Sequence, residues 1–521
     1  MTTVVLLAAG LGSRMGRYAD IVNKTLLPVK GKAIISTVIE QFDAETKFVI
    51  AVGYKKEQVK SYIAAAHPSL DVTFVDVDNF SGVNSGPAHS LGLCKDYVPA
   101  DFIVVACDAL YGNLPQLVGD SDSMAVSKVL FSESAAYCNV RIENDVVAQI
   151  QDKVRSNFGF AFNGAFYVKN ASTFWKDLKG QELSSGFRNL KMRAVEMPWV
   201  DLGTFERYKK EVVVSGAFDF SKDDEFIYFV GNKVIKWFRD ERTTVNRIAK
   251  ASMHSHLFPT VRYHGSGFYS YDKIEGSTLY ETVTPEIFPK FISWCWDNIW
   301  KNQAHLTKED LESFYYDKTQ QRLAQFRLKY PSFRPTMINR KYVEYDIDEG
   351  LNLLDWPLIL NPLPTRAKFM HGDLQLANVI YTGEDFKLID WRQDFAGKID
   401  AGDILYDAAK LKASLILDYD AICRGEFSFS EHADEIRFTI PNNSKYQEYI
   451  DLIDKHFPKY VTDQIVTIIY LNMAALHANP FDKLLYSLAL QRLNESMINY
   501  NELCRNCSCK VECAGLIKRS I

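Results

Sequence analysis

The sequence predicts an α/β fold for its first part and a separate α+β fold for the remainder. Three observations carry this. Over the first two hundred residues, short and continuously apolar runs alternate with amphipathic segments, the pattern of strands buried on both faces by crossing helices. From about residue 220 the pattern changes to paired strands with tight turns, and from about residue 283 it becomes mostly helical. The chain's 521 residues also exceed the roughly 250–300 that one core usually serves, so two or three domains are expected.

Taken in order, "TVVLLAA" reads as a strand, "AIISTVIEQF" as a helix, "KFVIAVGY" as a strand and "KEQVKSYIAAA" as a helix. Strands "DVTFVDVD" and "DFIVVACD" follow, and "AFNGAFYV" and "RAVEMPWVDLGTFERYKK" close the region near residue 213. Such a parallel sheet binds ligands at the carboxyl ends of its strands. "DEFIYFV" and "NKVIKWFRD" then form a hairpin turning at Gly231-Asn232, followed by helical "TTVNRIAKAS" and the strand pair "TVRYHGSGF" and "YSYDKIEGSTL". "AKFMHGDLQLANVIYTGEDFKLIDW" interrupts the helical remainder. The expected division is 1–215, 216–500 and a cysteine-rich tail, 501–521, with the first boundary inside "VVVSGAFDFSKDD".

Bulk properties exclude several classes. A net charge of −5 offers no electrostatic case for nucleic acid. Only Met1, Thr2 and Thr3 precede the first apolar run, and the first basic residue, Arg14, follows it, so the run is not a secretory signal. No segment approaches the roughly 18 apolar residues of a membrane span. A cytoplasmic protein without membrane insertion is expected.

The first chemistry lies in "VVLLAAGLGSRMG". Gly10, Gly12 and Gly16 are spaced G-x-G-x-x-x-G, which is not the dinucleotide-binding G-x-G-x-x-G, and Arg14 falls inside the turn. A glycine loop whose N–H groups hold a triphosphate, helped by Arg14 and Lys24, fits better. "LAAGLGSRMG…NKTLLPVKGKAII" resembles the signature of nucleotidyltransferases that make nucleoside-diphosphate sugars and CDP-alcohols. The resemblance implies a Rossmann-like sheet in which Ala8, Ala9, Gly10 and Gly12 contact the nucleotide. It implies that Arg14 and Lys24 grip the triphosphate and that Lys32 approaches the acceptor's phosphate. The reaction joins anionic groups and needs Mg²⁺ on carboxylates; by resemblance these are Asp108, in "FIVVACDAL", and Asp201, in "WVDLGT". "NSGPAHSL" is similar to the family's nucleobase loop through Gly86, Ala88 and Ser90, with Pro87 as a departure, and Asn163 matches an acceptor-contacting strand.

The second chemistry lies in "HGDLQLANVIYTGEDFKLIDW". An Asp and an Asn five residues apart, then an Asp after an apolar strand, repeat the logic of kinase catalytic loops. With H-G-D and I-D-W, the segment resembles the choline kinase and aminoglycoside phosphotransferase family, a kinase-like α+β domain with a small β-rich lobe and a larger helical lobe. That implies Asp373 as the group facing the substrate hydroxyl, Asn378 and Asp390 as Mg²⁺ ligands, and Lys236 on the ATP phosphates. Glu241 is the candidate partner of Lys236, and no glycine-rich loop precedes it. Asp403 and Asp407, in "GDILYDAAKL", are structural or substrate-orienting. A choline-like amine would want an aromatic cage, for which "FISWCWDNIW" offers Trp294, Trp296, Asp297 and Trp300. Trp296 and Trp300 share one helix face, a spacing that equally serves a core.

Finally, "CRNCSCKVEC" brings Cys504, Cys507, Cys509 and Cys513 within reach of one Zn²⁺ or an iron–sulfur cluster, the alternative being a reduced, partly buried tail. The joint expectation is a bifunctional enzyme: a small alcohol or amino-alcohol is phosphorylated with ATP, and the product is coupled to CTP, as in bacteria that decorate surface polysaccharides. A sugar kinase with a uridylyl- or thymidylyltransferase, and a metabolite-binding scaffold with an inactive kinase-like module, remain the alternatives.

Overall fold

A computed structural model describes residues 2–213 and 224–506. They form two compact units. Of the described residues, the first takes 2–213, 224–241 and 262–271, and the second takes 242–261 and 272–506.

The first unit is built on a nine-stranded sheet. Its order is Val72–Asp76, Lys47–Val52, Thr3–Ala8, Phe102–Ala106, Phe160–Val168, Ser123–Lys128, Arg193–Glu196, Val146–Asp152, Cys138–Glu143. The first four strands are mutually parallel, as expected, but Phe160–Val168 runs antiparallel and makes the sheet mixed. Alternation along Thr3–Ala8 explains its unbroken apolar run. Val4, Leu6 and Ala8 face a layer containing Ile35, Val38 and Val59, while Val5 and Leu7 face one containing Leu91, Cys94 and Phe174. Because the chain crosses from Val72–Asp76 back over Thr3–Ala8 to Phe102–Ala106, the strand order reverses beside Thr3–Ala8. A crevice at the carboxyl end of that strand is where such sheets bind ligands.

Packing does not divide at residue 215. The strands Glu225–Val230, Lys233–Phe238, Phe268–Asp272 and Arg262–Gly265 form a four-stranded sheet whose apolar face joins the core of the first unit. Strict alternation puts Phe226, Tyr228 and Val230 on the buried face of the first strand. Tyr228 lies edge-on to Tyr62 with ring centres 4.9 Å apart, and its hydroxyl donates to Leu26 O at 2.8 Å. The hairpin turn falls at Gly231-Asn232, as expected.

In the second unit, the short hairpin Val379–Tyr381 and Phe386–Leu388 pairs with Ser277–Thr278. The helix Ile404–Ile416, buried through Leu415, packs on Lys459–Ala474, which packs on Phe481–Asn506. Among the described residues no helix is long and apolar enough to cross a membrane. Cys507, Cys509 and Cys513 lie outside the described residues; Cys504 falls on the helix Phe481–Asn506.

Candidate active sites

A cavity of about 420 Å³ opens where Thr3–Ala8 ends, lined among others by Ala9, Gly10, Arg14, Lys24, Gly86 and Asp108. The chain turns sharply there because Gly12 adopts a left-handed conformation, φ 65°. Asn23, fully buried, holds the return of the loop: its Nδ2 donates to Ala8 O at 3.0 Å and Tyr54 O at 2.7 Å. This sets the neighbouring Lys24, whose Nζ donates to Asp108 Oδ2 at 2.6 Å. Burial opposes charge on Asp108, but Lys24, with Arg14 behind it, outweighs burial and holds the carboxyl below its ordinary range.

Asp201 reaches the same place through strand pairing. Ala109 pairs with Asp201, and Leu202 N donates to Asp108 O at 3.0 Å. Asp201 Oδ1 accepts from Gly203 N at 2.7 Å, and Oδ2 accepts from the Tyr137 hydroxyl at 3.0 Å and pairs with Arg207. A Cβ added to Gly203 would lie 3.0 Å from Asp201 Oδ1, 3.5 Å from Arg14 Nη2 and 3.8 Å from Asp108 Oδ2. Both carboxylates and a guanidinium therefore converge on one open point. Two carboxylates beside this cavity fit Mg²⁺, which keeps few protein ligands and completes its shell with substrate phosphates.

The second candidate site is the loop from His371 to Asp390. Asp407, buried in the first turn of Ile404–Ile416, accepts from His371 N at 2.8 Å, Gly372 N at 2.7 Å and Trp300 Nε1 at 3.2 Å. His371 Nε2 meets Ile389 O at 2.9 Å, and its Nδ1 accepts from Asp373 N at 3.2 Å, so the ring is a neutral Nε2–H tautomer. Burial pushes that imidazole down to about 3. Asn378 Nδ2 donates to Asp373 O at 2.9 Å, which leaves Oδ1 as the atom that could hold a metal. Hairpin pairing of Val379 with Leu388, continued by Ile389 N to Asn378 O at 2.9 Å, sets Asn378 beside Asp390. Asp390 holds a left-handed φ of 58°, which Asp tolerates better than most residues. An amide oxygen beside a carboxylate again fits Mg²⁺.

Buried charge surrounds this loop. Lys250 Nζ donates to Arg392 O at 3.0 Å. Burial lowers Lys250 and raises Asp407, because it penalises the charged form of each. Asp403 caps the helix Ile404–Ile416 through Leu405 N at 3.0 Å and accepts from Tyr315 at 2.8 Å and from Arg366. It is structural.

Residues 4–114 match the family model of the MobA-like NTP transferase domain. The N-terminal α/β part is thus a nucleotidyltransferase-type domain. Over 218 residues the chain is 23% identical to the bifunctional protein GlmU of Methanococcus maripaludis, covering 38% of this chain and 51% of that protein. Over 118 residues it is 30% identical to the UTP–glucose-1-phosphate uridylyltransferase AglF of Haloferax volcanii, covering 22% and 46%. The chain spans about half the length of such relatives. Among solved structures, it aligns with the inositol-1-phosphate CTP transferase of T. maritima at 14% identity over 41% of this chain and 95% of that one, TM-score 0.34.

Within the NTP transferase domain and its neighbouring strands, the expected residues divide. Ala9, Gly10, Arg14, Lys24, Gly86 and Asp108 line the cavity with Pro87 and Ser90, and Asp201 adjoins it. Gly86 must be glycine: at φ 147° a Cβ would meet Gln181 O at 2.6 Å. Ala8 and Ala88 are buried behind the wall, the amide of Ala88 spent on Gln181 O at 3.0 Å. Lys32 is not among the lining residues; its ammonium pairs with Glu40. Asn163 is buried, with Nδ2 on Ser127 Oγ at 3.1 Å, and its neighbour Gly164 forms the wall instead. The far end of the cavity, with Asp152, Lys153, Phe162 and Glu182, carries no motif and was not anticipated. Asn23 had one legible signal, a polar residue next to the motif lysine.

Lys236 is buried on Lys233–Phe238, and Glu241, opening the helix Glu241–Met253, accepts from the Tyr263 hydroxyl; both residues belong to the first unit, whereas Asp373, Asn378 and Asp390 belong to the second. The tryptophans form no cage. Trp294 packs on Phe386 at 5.6 Å, Trp296 on Phe457 at 5.7 Å, and Trp300 is committed to Asp407. Trp300 is a core residue, Trp294 is half-buried, and Trp296 lies exposed at the edge of this packing.

Proposed function

We propose that the chain is a bifunctional enzyme: one site phosphorylates a small hydroxylated metabolite with ATP, and the other couples the phosphate monoester to CTP with release of pyrophosphate. The observation that supports it most is that one chain holds two sets of side chains suited to phosphoryl transfer. Lys24, Arg14, Asp108 and Asp201 converge at the strand-order reversal, and Asp373, Asn378 and Asp390 are gathered by one loop and hairpin.

At the first site the acceptor's phosphate oxygen forms a bond to the α-phosphorus, and the bond to the bridging oxygen of the β-phosphate breaks. Arg14 and Lys24 would hold the departing charge, acting where it develops. Asp108 and Asp201 would hold Mg²⁺, which supplies charge neutralisation for the two anionic partners. At the second site Asp373 orients the hydroxyl and takes its proton, with Asn378 and Asp390 as the metal-binding pair.

A second reading is favoured by a name among the relatives. AglF is called a UTP–glucose-1-phosphate uridylyltransferase, which points to a sugar 1-phosphate and UTP. One experiment separates the two. Purified chain is given each of four NTPs with a panel of phospho-alcohols and sugar 1-phosphates, and products are read by mass spectrometry. A CDP-linked product supports the first reading; UDP- or dTDP-sugar supports the second, and no pyrophosphate with any pair contradicts both.

A further inference from the structure

The space beside Asp373 is walled by cations. Lys410 Nζ sits 2.7 Å from Asp373 Oδ1. Arg392, two residues beyond Asp390, lies back across the loop: a Cβ on Gly372 would meet Arg392 Cβ at 2.6 Å and Cδ at 3.2 Å. Glycine in place of the arginine of H-R-D is what lets this side chain pass. The Arg392 guanidinium carbon ends 5.1 Å from the ring centre of Phe314, and Lys318 Nζ stands 3.5 Å from that centre. Phe395 stacks on Phe314 at 3.9 Å, and Tyr406 meets it edge-on at 4.8 Å. Tyr406 is one turn before Lys410 on the helix Ile404–Ile416, so the aromatic platform joins the three cations to Asp373.

Their charge is not balanced. Lys410 is matched by Asp373, but among the described residues Lys318 and Arg392 have no ion pair, and Arg392 Nε is buried without a hydrogen-bond partner. Asp394 offsets part of this, with one oxygen on Gly397 N at 3.0 Å. Burial first, then repulsion from Arg392, Arg322 and Lys410, holds Lys318 well below the ordinary lysine range. Cations crowded in this way are stabilised by an arriving anion and repel a second cation.

We propose that the acceptor at this site is an anionic alcohol, carrying a carboxylate or phosphate near its hydroxyl, and that Lys318 and Arg392 bind that oxyanion. The inference rests on the kinase reading of the loop and names its substrate class. In the step, the acceptor oxygen forms a bond to the γ-phosphorus of ATP and gives its proton to Asp373. The bond from γ-phosphorus to the bridging oxygen breaks, and ADP keeps the electron pair. A choline-like acceptor would bring a cation into a basic wall.

The test uses the full chain with ATP and four acceptors: glycerate, glycerol 3-phosphate, choline and ethanolamine. ADP release is followed for the wild type, Lys318→Met and Lys318→Arg, with calorimetric titration of glycerol 3-phosphate alongside. The anionic acceptors should react and the cationic ones should not. Lys318→Met should raise the acceptor KM about tenfold or more, the scale of a lost charge-assisted contact. The KM for ATP should stay unchanged, Lys318→Arg should recover the acceptor KM, and intact pyrophosphate release from the other site should report a folded chain. Preference for choline or ethanolamine, or a shift in the ATP KM instead of the acceptor KM, overturns the inference and leaves the kinase reading standing. If no acceptor yields ADP, the kinase reading falls and calorimetry decides the anion site: heat lost in Lys318→Met supports it, and equal or absent heat in both proteins overturns it.

Discussion

At the glycine loop, the functional groups sit at strand ends, and the backbone sets their positions. Ala8 ends one strand, Asp108 follows another, and Asp201 is fixed by register with Ala109. At the H-G-D loop the positions are set by buried side chains. Asp407 holds two backbone N–H groups, and His371 bridges Asp373 N to Ile389 O. The first arrangement fails when a group that touches phosphate is removed. The second fails when an acid that need touch no substrate is removed.

The largest effect expected from this contrast is at Lys24. Lys24→Met takes away a phosphate-binding cation and the partner of Asp108, and should slow pyrophosphate release on the order of 10²–10³-fold, measured with a supplied phosphate monoester. Thermal stability should change little, because the lysine is part of an open cavity wall.

Asp407→Ala comes next. It strands three buried N–H groups, those of His371, Gly372 and the Trp300 indole, at about 1–3 kcal/mol each, so melting temperature and ADP release should fall together. Asp407→Asn, which keeps one acceptor oxygen, should recover part of both. Normal stability with full ADP release in Asp407→Ala would dissolve the contrast.

A smaller effect follows from His371. Its folded pKa, about 3, lies below the unfolded value near 6.5, so the unfolded chain binds a proton first as pH falls. The stability held by the neutral ring is complete above about pH 6.5 and is lost progressively as pH drops from there toward 3. Denaturant unfolding at pH 7 and pH 5 should show this loss in the wild type and less of it in His371→Asn. Smallest of all is Trp296→Ala: packed on Phe457 and outside any cage, it should leave every acceptor KM unchanged in ADP-release assays.

The contrast also explains what the sequence made legible. Gly10, Gly12, Arg14 and Lys24 lie in one short stretch at a strand end, so motif and geometry coincide. Asp201 was reachable only through family resemblance, because its place depends on a pairing more than ninety residues away. Lys32 belonged to the same motif, yet the tight pairing of Pro28–Val29 with Lys32–Ala33 is followed by the helix Ile34–Ile39, and Glu40 just past its end takes the lysine's charge. The change of pattern near residue 220 was plain, but the apolar face of Phe226 and Tyr228 finds its complement at Leu26 and Tyr62, a match no local window contains. Lys318 and Arg392 carry no motif; they gather around Phe314 only through the fold.

That the chain holds two separable reactions is tested most directly by assaying ADP, pyrophosphate and the phosphorylated intermediate in parallel for Asp390→Ala and Asp108→Ala. Asp390→Ala should lose ADP release by orders of magnitude while still converting a supplied phosphate monoester. Asp108→Ala should release ADP and accumulate the intermediate without pyrophosphate. Loss of both reactions in either folded variant would contradict two sites and require one shared centre.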